Sequence, residues 1–122
     1  MTAGWQPDPD KRRIVSAAVL INHRGGQCIK LIAPRHWDQT MHEQLRTIAV
    51  LAIGRNATEQ EIDSYVQTHF DHSGEIQGFV DQWGIFFDRR DSLNIARRQN
   101  QIKPEGKSGN PDSDELFSED LY

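Results

Sequence analysis

Gly78–Ile102, GFVDQWGIFFDRRDSLNIARRQNQI, reads as a strand, a tight turn, a returning strand and a helix in one continuous piece. Phe79 and Val80 begin the first strand, Gln82-Trp83-Gly84 supplies the turn, and Ile85-Phe86-Phe87 comes back. Asp88 stands where a helix N-cap belongs, and Asp91 three residues on suits the positive end of the helix. Leu93, Ile95 and Ala96 form a short apolar stripe, and Arg97 and Arg98 fall in the last turn, where cations are favoured. Phe79, Trp83, Phe86 and Phe87 beside Arg89, Arg90, Arg97 and Arg98 make the densest mix of flat surface and positive charge in the chain. Two readings follow: a hairpin whose aromatics are core, or a site for a flat, anionic ligand.

Upstream, Arg13 to Asn22 (RIVSAAVLIN) is a nearly continuous apolar, β-branched run, the pattern of a strand covered on both faces. Gly25-Gly26 provides the positive φ of a tight turn, and Cys28 to Ala33 returns, so 13–33 is predicted to be an antiparallel hairpin. Pro34 ends that strand. Asp38 is placed to cap a helix whose apolar face is Met41, Leu45, Ile48, Ala49 and Ala52, with a stop at Gly54. Thr58 with Glu61 forms a capping box for a second helix carrying Ile62, Tyr65, Val66 and Phe70, and His69–Gly74 is read as its close. Residues 1–12 are expected to be a flexible lead-in, and residues 103–122 an extended C-terminal tail. The tail ends Leu116-Phe-Ser-Glu-Asp-Leu-Tyr122, so Leu116, Phe117, Leu121 and Tyr122 are expected to dock on the body or on a neighbouring subunit.

A chain of 122 residues is expected to form a single domain, 1–122. Only 36% of its residues are apolar, a thin core that points weakly to self-association. The net charge of −4 argues against coating a long nucleic acid, which needs a basic face. Basic residues nonetheless cluster at 11–13, 89–90 and 97–98, which suits a small anionic ligand on an acidic body. The lone cysteine, Cys28, excludes an internal disulfide and is expected as a buried, inert thiol. The longest apolar run, Ala17–Ile21, cannot cross a bilayer, and the N-terminus has no apolar signal region. A soluble, cytoplasmic protein without membrane partners is expected.

The groups with catalytic or metal-ligand potential are His36 with Asp38, and His69, Asp71 and His72. The second set straddles a helix end without the usual i,i+2 or i,i+4 spacing, and a solvated helix terminus accounts for it equally. No phosphate loop, nucleophile elbow or paired metal-facing carboxylates occur, so no cofactor, metal or enzymatic activity is expected. Arg35, beside His36 and Trp37 at a strand-to-helix junction, reads as a ligand contact, or as a structural arginine bonding loop carbonyls.

Three motifs in order carry a resemblance: Pro-Arg-His-Trp-Asp-x-x-Met (34–41), Gly-Phe-Val-Asp-x-x-Gly-x-Phe-x-x-Arg (78–89) and Leu-Phe-Ser-Glu-Asp-Leu-Tyr (116–122). Together the set resembles the phage Thoeris anti-defence family of the first-described type. The resemblance covers about half the chain, roughly 28–41 and 78–122, and leaves 42–77 unmatched. It implies a sponge: such proteins bind cyclic ADP-ribose isomers made by bacterial TIR-domain proteins, or cyclic oligonucleotides, and hold them without cleavage. It also implies an α+β fold, a homo-oligomer of two or more copies with shared pockets, and an infected bacterial host cell. Arg35, His36, Phe79, Phe86, Arg89 and Asp120 are the motif positions carried over as ligand-binding residues.

The expected fold is α+β, an N-terminal antiparallel sheet with helices, then a short hairpin-helix unit and a docked C-terminal tail. The expected function is phage immune evasion by sequestering a cyclic nucleotide second messenger. The alternative is a phage inhibitor that acts by protein–protein binding on a host or defence protein. A small hydrolase using His36 and Asp38 is a third reading.

Overall fold

A computed structural model describes residues 6–103 and 114–121 of the chain. Two of the expectations above fall partly outside them: the lead-in at 1–5, and the tail at 104–113 together with Tyr122. The fold is α+β. A four-stranded sheet has the order β2-β1-β3-β4, where β1 is Ile14–His23, β2 Cys28–Ala33, β3 Phe70–Asp81 and β4 Phe86–Asp88. Helices α1, Gln39–Ile53, and α2, Glu59–His69, lie between β2 and β3 in the chain, and α3, Arg89–Arg98, follows β4. The predicted hairpins are both present. The strands of both pair within the one four-stranded sheet.

The chain divides into two compact units, residues 17–77 and residues 1–16 with 78–122. In the first, β1 and β2 pair antiparallel from Ala17 opposite Ala33 to Asn22 opposite Cys28. The turn between them is closed by Gly26 N–H to His23 O at 2.9 Å, with Gly26 in the left-handed region at φ +98°. Ala17, Ala18 and Val19 are buried in succession, the signature of a covered strand that the sequence displays. Met41, Leu45 and Ala49 face inward from α1, and Ile62 from α2. Ala52 is exposed and Ile48 half-buried, so the inward stripe of α1 is narrower than predicted.

Both helices start where the side chains dictate. Asp38 accepts the Met41 amide at 3.1 Å. Thr58 accepts the Glu61 amide at 3.2 Å while Glu61 accepts the Thr58 amide at 3.0 Å, the reciprocal capping box. At Gly54 the backbone turns out of the helix at φ +112°, a conformation that favours glycine.

Two expectations are corrected here. His69–Gly74 is expected to close α2 and lead into the hairpin, yet α2 ends at His69 and Phe70 already begins β3, which runs to Asp81. Phe70 leaves α2 in extended geometry and buries its ring, so pairing into the sheet overrides a polar, glycine-containing segment of low strand propensity. Cys28 is exposed, not buried, because it opens an edge strand immediately after the turn.

In the second unit, β3 and β4 pair antiparallel with Gly78 opposite Asp88, Phe79 opposite Phe87 and Val80 opposite Phe86. Asp88 caps α3 by accepting the Asp91 amide at 2.8 Å. Asn100, at φ +56°, ends that helix in the left-handed conformation that asparagine tolerates. Ile14, Phe79, Val80, Leu93, Ala96 and Leu116 are buried here. The described part of the N-terminal arm begins at residue 6. It makes a single 3-10 turn at Pro9–Lys11, and Gln82 pairs with it, accepting Arg13 N–H at 2.8 Å and donating to Lys11 O at 2.6 Å.

Gly78 has no room for a side chain. A Cβ there would lie 2.1 Å from Phe87 O and 3.0 Å from Asp88 Cα, both backbone atoms of the opposing strand. Gly78→Ala is expected to cost about 3 kcal/mol or more, the scale of severe steric substitutions. Urea unfolding measures it, and a loss within about 0.5 kcal/mol, an ordinary surface effect, refutes the close approach.

The Thr58 amide and hydroxyl hold the Glu61 carboxyl below its ordinary value. Because the folded pKa is depressed, the stabilisation is present in full above the unfolded value of about 4.3 and is lost as pH falls through the lower folded value. NMR titration of Glu61 should show its pKa return to the ordinary range in Thr58→Ala. An unchanged titration removes the cap as its cause.

Candidate functional site

The second unit contains a basic group built into aromatic surface, and its foundation is a buried carboxylate. Asp81, the last residue of β3, is 1% exposed. Its Oδ1 accepts the Trp83 and Ile85 amides, each at 2.9 Å, and its main chain bonds Gly84 N–H at 3.0 Å. Those bonds shape the β3–β4 turn, in which Gly84 takes φ +78°. Its Oδ2 accepts Arg12 Nε at 2.9 Å. A buried carboxylate demands such a partner, because an uncompensated charge out of water is strongly unfavourable.

The Arg12 guanidinium lies 4.9 Å from the Phe87 ring centroid and 5.8 Å from that of Trp83, within cation–π range of both. Its side chain is 20% exposed. Among the described residues its hydrogen bonding runs through Nε alone, so the Nη edge of the fork is oriented and not consumed. Arginine presents a planar fork that matches phosphate in two parallel bonds, which lysine cannot do. Here its orientation is set in advance. Gln101 fixes the neighbouring backbone, accepting Ile14 N–H at 2.9 Å and donating to Ile14 O at 2.7 Å, and Gln99 donates to Asp10 O at 2.8 Å.

The residues carried over from the motifs fall into distinct settings. Phe79 is fully buried opposite Phe87 in the hairpin, and Phe86 is half-buried on β4. Arg89 donates Nη1 to Leu116 O at 2.8 Å and carries its guanidinium 4.9 Å from the Phe117 ring centroid, so it holds the C-terminal segment. Asp120 is fully buried, and its Oδ2 accepts the Phe117 amide at 2.9 Å. Leu116 docks as the tail's apolar ending predicts, fully buried against this unit. Phe86, Arg89, Phe79 and Asp120 are thus in one unit, while Arg35 and His36 are in the other.

Arg35 and His36 are half-buried in the bend before α1. Next to them Trp37 takes φ +52°, a left-handed conformation unusual for a bulky residue and costing roughly 1 kcal/mol. The indole Nε1–H donates to Glu75 at 2.5 Å, and its ring lies 5.4 Å from that of His42 and 6.3 Å from that of His72. Asp38 spends its carboxylate on the α1 cap. His69, Asp71 and His72 are likewise engaged locally: His69 Nδ1 with Tyr65 O, Asp71 with Ser73 and the Gly74 amide, and His72 Nε2 with Val66 O. Among the described residues, no group of three or more His, Cys, Asp or Glu could hold a metal ion.

Arg12 and Asp81 were missed by sequence reasoning. The charge run Lys11-Arg12-Arg13 ahead of β1 and the Asp of the 78–89 motif were the available signals. Neither reveals that two residues 69 positions apart meet.

A family model for the phage T4 y16D protein matches residues 13–122, nearly the whole chain. The chain belongs to that family and is a phage protein. No curated protein and no solved structure matches it.

Asp81→Asn keeps an acceptor for the turn amides but removes the charge that Arg12 requires. The expected loss is about 2–3 kcal/mol, below the 3–5 kcal/mol of a fully buried pair because Arg12 retains solvent contact. Chemical denaturation of parent and variant measures it. Equal stability would mean that the pair is not what anchors the arm.

Proposed function

We propose that this member of the phage T4 y16D family binds a cyclic nucleotide second messenger and holds it intact, blocking bacterial anti-phage signalling. The observation that carries the reading is the Arg12 guanidinium, laid against Phe87 and Trp83 and aimed by Asp81 with its Nη edge available. Phosphate in the fork contributes about 1.5–3 kcal/mol per charge-assisted bond, and a base stacked on aromatic surface about 1–3 kcal/mol. The resemblance of the 34–41, 78–89 and 116–122 motifs to the Thoeris anti-defence family supports the same reading and names the ligand class: cyclic ADP-ribose isomers or cyclic oligonucleotides. Sequestration, not turnover, fits a site of cation and aromatic surface. In this reading the protein works as a homo-oligomer with shared pockets in the host cytoplasm, and Arg35, His36, Phe86 and Arg89 remain candidates for further ligand contacts. No described helix is long and apolar enough to cross a membrane.

A second reading, inhibition by surface binding to a host or defence protein, has one observation in its favour. An open groove of about 470 Å³ runs between α1 and α2, lined by Val50, Leu51 and Ile62 with Glu43, Arg46 and Glu59. Leu51 is 81% exposed beside it, and Ile53 is also exposed.

Incubation with cyclic ADP-ribose isomers and with cyclic oligonucleotides, followed by heat denaturation, separates these outcomes. Intact ligand recovered from the protein supports the sponge, a cleaved product makes it a hydrolase, and an undepleted solution leaves the protein–protein reading. Arg12→Lys keeps a cation for Asp81 but loses the fork. It should melt near the parent yet bind about 10- to 100-fold more weakly, one to two tenfold steps of 1.4 kcal/mol. Parent-like titration curves for Arg12→Lys would place the ligand elsewhere.

A further inference from the structure

We infer that the C-terminal segment Asp114–Leu121 is an exchangeable ligand of the α3 face, and that this face accepts the same segment from a second copy of the chain. This rests on the docking of the segment and not on the nucleotide reading. The contacts have the form of peptide recognition. Leu116 N–H donates to Arg89 O at 3.0 Å and Arg89 Nη1 donates to Leu116 O at 2.8 Å, so one residue of the body satisfies both main-chain groups of one residue of the segment. The Leu116 side chain is fully buried, and the Phe117 ring is stacked against the Arg89 guanidinium. A fully buried leucine, a phenyl ring on a cation and a matched main-chain pair are together a recognition rule for Leu-Phe.

The segment also brings its own shape. Asp120 Oδ2 accepts the Phe117 amide at 2.9 Å, and Asp120 N–H bonds Phe117 O at 2.9 Å, closing the 3-10 turn Ser118–Asp120. Asp120 O then accepts Lys103 N–H at 2.9 Å, a second anchor on the body. A pre-shaped peptide loses less freedom on docking than a disordered one.

These anchors do not involve the covalent route between Lys103 and Asp114. That route is ten residues, 104–113, with two prolines, two glycines and no large apolar side chain. Its contour of roughly 33–36 Å can reach a neighbouring chain. The same segment on another copy offers identical chemistry, and reciprocal exchange closes as a two-fold pair. Within one chain the segment competes at an effective concentration of about millimolar, so exchange shows itself once internal docking is disabled.

Two full-length variants provide the test. Arg89→Glu disables the face and keeps the segment; Leu116→Ala with Phe117→Ala disables the segment and keeps the face. Each alone is expected to melt lower than the parent. In the second variant the Lys103 amide should exchange with solvent at least about tenfold faster, because its partner is undocked. Mixing that variant, isotope-labelled, with excess unlabelled Arg89→Glu chain should restore Lys103 protection and raise the melting temperature towards the parent. If one variant is unfolded alone, recovery of native circular dichroism on mixing is the supporting result. A mixture whose exchange, melting and dichroism equal the average of its components overturns the inference, whatever the mass of the assembly.

Discussion

The arrangement of the second unit depends on one buried negative charge. Asp81 sits at the end of β3 with its carboxylate out of water, and burial obliges it to find donors. It finds two on the turn that follows, Trp83 N–H and Ile85 N–H, and a third on the N-terminal arm, Arg12 Nε. The first two fix the path of the hairpin and place Trp83. The third draws an arm that would otherwise have few apolar contacts onto aromatic surface. A guanidinium held by a carboxylate on one edge and lying against two rings has little freedom left. That is why its remaining edge can serve a ligand at low entropic cost.

Around this pair, glutamine side chains do the work of missing strands. Gln82 pairs with Lys11 and Arg13, Gln101 with the two main-chain groups of Ile14, and Gln99 with Asp10. A primary amide offers one acceptor and donors in the spacing of a peptide group, so it can complete a backbone that has no neighbour. The other unit uses the same device at its edge, where Gln44 accepts Ile32 N–H at 3.2 Å and donates to Ile32 O at 2.7 Å. An exposed strand edge invites pairing with another chain, and the Gln44 amide blocks part of that edge. Compensation by side chains also accounts for how a sequence with few apolar residues satisfies its backbone.

Two imidazoles of the other unit, His23 and His69, tie its elements together. His23 Nδ1 accepts the Gly25 amide at 3.0 Å, which leaves Nε2–H, in the neutral ring, to meet Tyr65 Oη at 2.7 Å. Tyr65 stacks on His69 with centroids 3.9 Å apart, and Arg24 N–H bonds His69 O. The β1–β2 turn and the end of α2 are thereby joined by rings and by main chain. His69, one of the candidate metal ligands, is thus part of the contact that holds these ends together.

Local signals were legible wherever neighbours in sequence are neighbours in space. Asp38, Thr58 with Glu61, and Asp88 announced three helix starts, Gly54 one stop, and Gly25-Gly26 a turn, because capping and turn chemistry act over two to four residues. The α+β class and the docking of Leu116 were readable for the same reason: strand runs, helical stripes and an apolar chain end are patterns of composition. What the sequence could not carry was any choice made across the chain. Residues 70–77 are polar and glycine-containing, and became strand because a sheet edge was there to pair with. Arg89 and Asp120, read from the motifs as ligand contacts, also hold the chain's own tail, while Arg12, set among prolines and charges, became the oriented cation. Only the tertiary structure brings residue 12 to residue 81, because desolvation of a carboxylate, and hence its demand for a partner, exists only once the core has closed around it.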